Sequence, residues 1–162
     1  HPTEALRMLD HLDDYLRSSL NASQQSWHPL VQEMRRLNGY LQRMAIRLGS
    51  RLRFELKLPD ELNEVLVPSF ILQPLVENAI RHGIEPSVTG GQIVVSAQQL
   101  GRQVELKVNN TGAPLINDIE QGYGLSHVRE RLQSLFGSAA TFVLKADQPS
   151  NTIACLSWPM KN

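Results

Sequence analysis

The segment VPSFILQPLVENAIRHGI, residues 67–84, decides how the rest of the chain is read. Leu72, Leu75, Val76, Ala79 and Ile80 recur at i, i+3, i+4, i+7 and i+8, the apolar stripe of a helix laid against a core. Pro68 is expected to open that helix. Its other side carries Gln73, Glu77, Asn78, Arg81 and His82, and Gly83 closes it. Glu77 and Arg81 have the i,i+4 spacing of an ordinary surface ion pair, worth roughly a few tenths of a kcal/mol. Asn78 fits that bland reading less well, because Asn is a mediocre helix former with no propensity reason to sit mid-helix. Asn78, Arg81 and His82, at i, i+3 and i+4, are expected to project together. Taken alone, the helix leaves a solvated face and the wall of a site equally open.

Upstream, TEALRMLDHLDDYLRSSL places Leu6, Leu9, Leu12, Leu16 and Leu20 on one helical stripe. NASQQSWHP reads as a turn, and Pro29 starts a second helix, 29–48, with Leu30, Met34, Leu37, Leu41, Met44 and Leu48 on its apolar side. Gly49 stops it. The two helices are expected to form a hairpin, with an apolar stripe long enough to pack on a partner. Then the period changes: RLRFELKL alternates as a half-buried strand does, and GGQIVVSAQQL, RQVELKVNN, AATFVLKAD and NTIACLSWPM follow as two hairpins separated by the helix LSHVRERLQSLFG. The implied fold is α+β, a two-layer α/β sandwich preceded by two N-terminal helices. The implied division is a helical segment over 1–48 and a domain over 49–162.

Composition narrows the classes. The 162 residues carry 16 Lys+Arg and 16 Asp+Glu, so no overall charge draws the chain to nucleic acid or to an anionic membrane. No apolar run is long enough to span a bilayer, and direct membrane contact is not expected. The single cysteine, Cys155, lies in the apolar run TIACLSW and reads as a small strand residue in a reducing compartment.

Two further segments carry chemistry. VNNTG, 108–112, ends a strand with Asn110 and a Gly that allows close approach of a ligand. GYGLSHV, 122–128, leads two glycines into a helix, where free backbone N–H groups suit an anion or phosphate. Each is weak alone: VNNTG can be a plain turn, and G-x-G lacks the third glycine of a dinucleotide fingerprint.

Taken together, 67–84, VNNTG and GYGLSHVRERL resemble the ATP-binding domain of the gyrase, chaperone, histidine-kinase and mismatch-repair superfamily, and within it the LytS-type bacterial sensor histidine kinases. The resemblance implies a Bergerat-type ATP-binding fold and a protein-histidine kinase fragment using ATP and Mg²⁺. It assigns Asn78 to the Mg²⁺, Glu77 to the acidic residue that helps activate the attacking group, and Arg81 to phosphate, with His82 beside it. Asn110 and Gly112 are assigned to adenine, and Gly122, Gly124 and Leu125 to the glycine box over the phosphates, with 113–121 as a short lid. It further implies a homodimer in the full-length protein, a response regulator of the LytTR type as partner, and a cytoplasmic placement below an inner-membrane sensor.

The family's Pro-His-Phe-Leu-Phe-Asn phosphoacceptor motif does not occur in the chain, and His11 falls where the family does not place its acceptor. The acceptor is therefore expected outside this fragment. The chain also departs from the family pattern at Asn110 in place of Asp, Thr111 in place of Asn, Pro114 in place of a second Gly, and His127 in place of Asn. A neutral amide at 110 gives up a charge-assisted bond to adenine, which corresponds to about 3–30-fold in affinity. The alternative is a degenerate kinase-like module with weak or no ATP binding that acts through protein contacts.

Overall fold

The computed structural model describes residues 2–24, 26–114, 125–148 and 150–160. The elements are α1 (Pro2–Gln24), β1 (Trp27–Pro29), α2 (Leu30–Leu48), β2 (Leu52–Lys57), β3 (Leu66–Pro68), α3 (Gln73–Ala79, continued by a π turn over Ile80–Ile84), β4 (Gly91–Leu100), β5 (Gln103–Thr111), α4 (Leu125–Phe136), β6 (Thr141–Gln148) and β7 (Asn151–Pro159). They form an α+β domain around a mixed five-stranded sheet in the order β2-β4-β5-β7-β6. β2 and β4 run parallel, joined by the long crossover that holds α3, and the other pairs are antiparallel.

Alternation sorts the two faces of the sheet. Ile93, Val95, Val104, Leu106, Val108, Ala154, Leu156 and Trp158 are buried on one face, while Val94, Glu105, Lys107 and Cys155 on the other stay half-exposed. The buried face shares one core with Leu72, Leu75, Val76 and Ile80 of the α3 segment and with Leu125, Val128 and Leu132 of α4. Trp158 stacks on Phe136 (centroids 5.4 Å apart), which meets Trp27 edge-on.

The expected free-standing helical hairpin does not form. Leu30, Met34, Leu37 and Leu41 of α2 are buried in the sheet's own core, and each contributes about 1.5–3 kcal/mol. Only α1 precedes the domain as a separate helix, with Leu6, Leu9, Leu12 and Leu16 at 50–62% exposure. NASQQSWHP is not simply a turn either, since α1 runs to Gln24 and Trp27–Pro29 pairs antiparallel with β3.

That pairing also corrects the start of α3. Pro68 sits opposite Trp27 at the end of β3, so it closes a strand and does not open a helix. A turn over 69–72 follows, in which Phe70 adopts φ +63°, and the helix begins at Gln73 with Pro74 in its first turn. At the other end the helix widens. Glu85 N–H bonds to Ile80 O (2.9 Å), the i→i+5 pattern of a π turn. Arg51 caps the widened end by donating through one nitrogen to the carbonyls of Ile84, Glu85 and Ser87.

Candidate functional site

Successive residues of α3 face opposite ways, and the polar side chains are split between two sides of it. Asn78 turns inward and is 8% exposed, whereas Glu77 and Arg81 line a separate cleft with Gln73 and Glu85. The expected joint projection of Asn78, Arg81 and His82 is therefore not what the backbone gives.

On the inward side the first two motifs meet directly. Gly83 lies against the end of β5, where a methyl group in place of its hydrogen would collide with the Asn110 side-chain amide. Ala113 N–H donates to Gly83 O (2.8 Å), and Gly112, at φ +123°, has no room for a Cβ above that same carbonyl. Asn110 ends the buried row of β5, between Ile93 and Thr152, and is 6% exposed. Its Nδ2 donates to Thr111 O at 3.3 Å. Asn78 Oδ1 is buried with no hydrogen-bond partner among the described residues. Orphaned amide oxygens are costly in a native fold, and this one is the kind of hard oxygen donor a small divalent cation takes.

His82 adjoins this region, half-buried. Burial, and then the Arg81 charge, hold its ring pKa below the ordinary value, with Glu85 opposing. The ring is accordingly neutral at physiological pH, an imidazole able to accept or donate one bond. Leu125 is fully buried at the start of α4, in the core beside α3. Gly122 and Gly124, and the expected lid from residue 115 onward, lie outside the described residues.

The outward side is a cleft of roughly 520 Å³ between α1, α2 and the α3 segment. Gln73, Glu77, Arg81 and Glu85, four residues apart, form its α3 wall. Gln73 Nε2 donates to Glu77 Oε1 (3.0 Å), and Arg81 donates to His11 Nδ1 (3.2 Å). Glu85 receives Arg47 at 2.7 Å and Arg7 at 3.9 Å. His11 thus contacts Arg81 as a hydrogen-bond acceptor. Among the described residues no cluster of His, Cys, Asp and Glu has the arrangement of a metal site, so any cation here would rest on Asn78 together with ligand oxygens.

Sequence reading missed Glu33 and Arg131, both buried and both bonded to the turn before α3. The one available signal was Glu33 itself, an acidic side chain near the apolar positions of a helix otherwise rich in arginine.

With this geometry in hand, known proteins are informative. A family model described as Histidine kinase matches residues 1–52. The chain is 30% identical to the sensor histidine kinase BtsS of Escherichia coli over 98% of its length, and 28% identical to the sensor protein LytS of Bacillus subtilis over 96%. It spans 28% of the length of each. In fold it is similar to the catalytic domain of the histidine kinase ThkA, with a TM-score of 0.66 at 18% identity, covering 83% of this chain and 94% of that one. No described helix is long and apolar enough to cross a membrane. The chain is thus similar in sequence to sensor histidine kinases over nearly all of its length, and similar in fold to a histidine kinase catalytic domain.

Proposed function

We propose that this domain binds ATP with Mg²⁺ at the junction of α3, the end of β5 and the glycine segment before α4, and passes the γ-phosphoryl group to a histidine outside residues 1–162. The observation that carries the reading is Asn78 Oδ1, buried and without a partner among the described residues, on the helix that Gly83 packs against Asn110–Gly112. Asn78 would hold the Mg²⁺, which when bound offsets phosphate charge. Asn110 would accept the adenine amino proton through its amide oxygen, and Gly112 would turn the chain beside the base. Arg81 would neutralise charge at the transferring group, Glu77 would help activate the attacking imidazole, and the amides around Gly122, Gly124 and Leu125 would bind phosphate oxygens. Phosphoryl transfer asks for little beyond such positioning and neutralisation.

In this reading the fold is a Bergerat-type two-layer sandwich, and residues 49–162 with the docked α2 form its catalytic body. Residues 1–48 include, in α1, the end of the dimerisation and phosphotransfer region. The exposed Leu6, Leu9, Leu12 and Leu16 support a homodimer of the full-length protein. The phosphoryl group then passes to an aspartate of a LytTR-type response regulator, and the domain works on the cytoplasmic side of an inner-membrane sensor.

Incubating a longer chain that includes the upstream histidine with labelled ATP and Mg²⁺ tests this. Acid-labile label that disappears in Asn78→Ala is the expected result. A folded dimer that takes up no label supports the degenerate module instead, a reading favoured by the neutral Asn110, whose amide is bonded to its own neighbour's carbonyl.

A further inference from the structure

One buried charged cluster is unused by the function above: Glu33 of α2, between the turn that precedes α3 and helix α4. Glu33 is 1% exposed. Its Oε2 accepts the N–H of Leu72 (3.0 Å), the N-cap of α3, which has no side-chain cap of its own. Its Oε1 accepts the N–H of Phe70 (3.1 Å) and is hydrogen-bonded to His28 Nε2 (2.8 Å). Phe70 is the only non-glycine residue at positive φ among the described residues, and the Arg36 guanidinium lies 3.9 Å over its ring.

From the opposite side, Arg131 of α4 donates to the carbonyl of Ser69. Burial lowers the Arg131 pKa, and the Glu33 charge opposes that shift. A buried carboxylate persists only where its charge is used, and a left-handed phenylalanine persists only where its surroundings hold it. Here the one holds the other.

We propose that Glu33 is a positioning residue for the nucleotide site. By fixing the left-handed turn and capping α3, it sets the rotation and depth at which the helix presents Asn78, six residues or about 9 Å further on. The Ser69–Arg131 bond ties that setting to α4, the helix that follows the glycine segment. The inference rests on the nucleotide reading above.

Binding of a non-hydrolysable ATP analogue to the whole chain, measured by calorimetry with and without Mg²⁺, tests it on wild type, Glu33→Gln, Asn78→Ala and the double variant. Thermal unfolding checks that each is folded. In wild type Mg²⁺ strengthens binding, and Asn78→Ala removes that gain. Glu33→Gln is expected to cut the gain about 5–10-fold while leaving Mg²⁺-free affinity within about 2-fold, and to have no further effect on the Asn78→Ala background.

Phe70→Gly, which adopts the positive φ without strain, should restore part of the gain to Glu33→Gln. Equal loss with and without Mg²⁺, or additive single effects, overturns the inference and leaves Glu33 a structural carboxylate. If Glu33→Gln does not fold, the same cycle on Glu33→Asp decides between these outcomes. A wild-type chain whose analogue binding ignores Mg²⁺ overturns the nucleotide reading, and this inference with it.

Discussion

The two sides of the α3 segment are built on opposite principles. The inward side, where Gly83, Asn110 and Gly112 meet, is held by backbone contacts that leave no room for a methyl group. The outward side, along Gln73, Glu77, Arg81 and Glu85, is a half-exposed ladder of charges closed by side chains from α1 and α2. One is a fixed surface. The other is made of partly exposed pairs, each worth at most about 1 kcal/mol.

If the inward side is that tight, Gly112→Ala should be strongly destabilising. The new Cβ meets the Gly83 carbonyl and also forces φ +123° on an L-residue. Strain and overpacking together predict a loss of about 2–4 kcal/mol in stability, read by chemical denaturation. A loss below about 1 kcal/mol would mean that β5 and α3 separate easily, and the contrast between the two sides would collapse.

Asn110→Asp sharpens the comparison from the ligand's side. A carboxylate at a 6%-exposed position should cost about 1–3 kcal/mol in the unliganded chain. It should also tighten nucleotide binding about 3–30-fold, because the bond to the adenine amino group becomes charge-assisted. Calorimetric titration and denaturation of the same variant measure both. Unchanged affinity would show that Asn110 does not meet the base.

Much of this was legible in the sequence, and the exceptions share a cause. The five sheet strands and α4 follow from alternation and period, which are local properties. The direct contact between Gly83 and the VNNTG turn was not anticipated, although motif order had assigned the two segments to one site. The misread start of α3 is non-local: Pro68 is kept in a strand by Trp27, and the turn after it by a carboxylate 37–39 residues upstream. The π turn was invisible because the apolar stripe read from the sequence, Leu72 to Ile80, ends where the turn begins. The integration of α2 into the core was missed for a simpler reason. An apolar stripe looks the same whether it covers a neighbour in the chain or a partner.

His82 lies near the border between the two sides and gives a pH test. Its folded pKa is lowered, so the unfolded chain takes up a proton first as the solution is acidified. Stability is therefore whole above the ordinary histidine value of about 6.5 and declines as the pH falls below it. Denaturation midpoints at pH 7.5 and 5.5 should differ more in wild type than in His82→Gln. Equal slopes would place the ring in water.

The smallest expected effect bears on α1. Arg7 reaches Glu85 at 3.9 Å with 63% of its side chain exposed, while Arg47 already holds the same carboxylate at 2.7 Å. Truncating Arg7 to alanine should change stability by less than about 0.5 kcal/mol, since exposed pairs are weak and Glu85 keeps its nearer partner. Salt should shrink that small difference further, because the exposed pair is screened. A loss above about 1 kcal/mol would show α1 docked as firmly as α2. The outward side would then be as rigid as the inward one, and α1 would be a structural part of the domain, not a helix whose partner lies elsewhere.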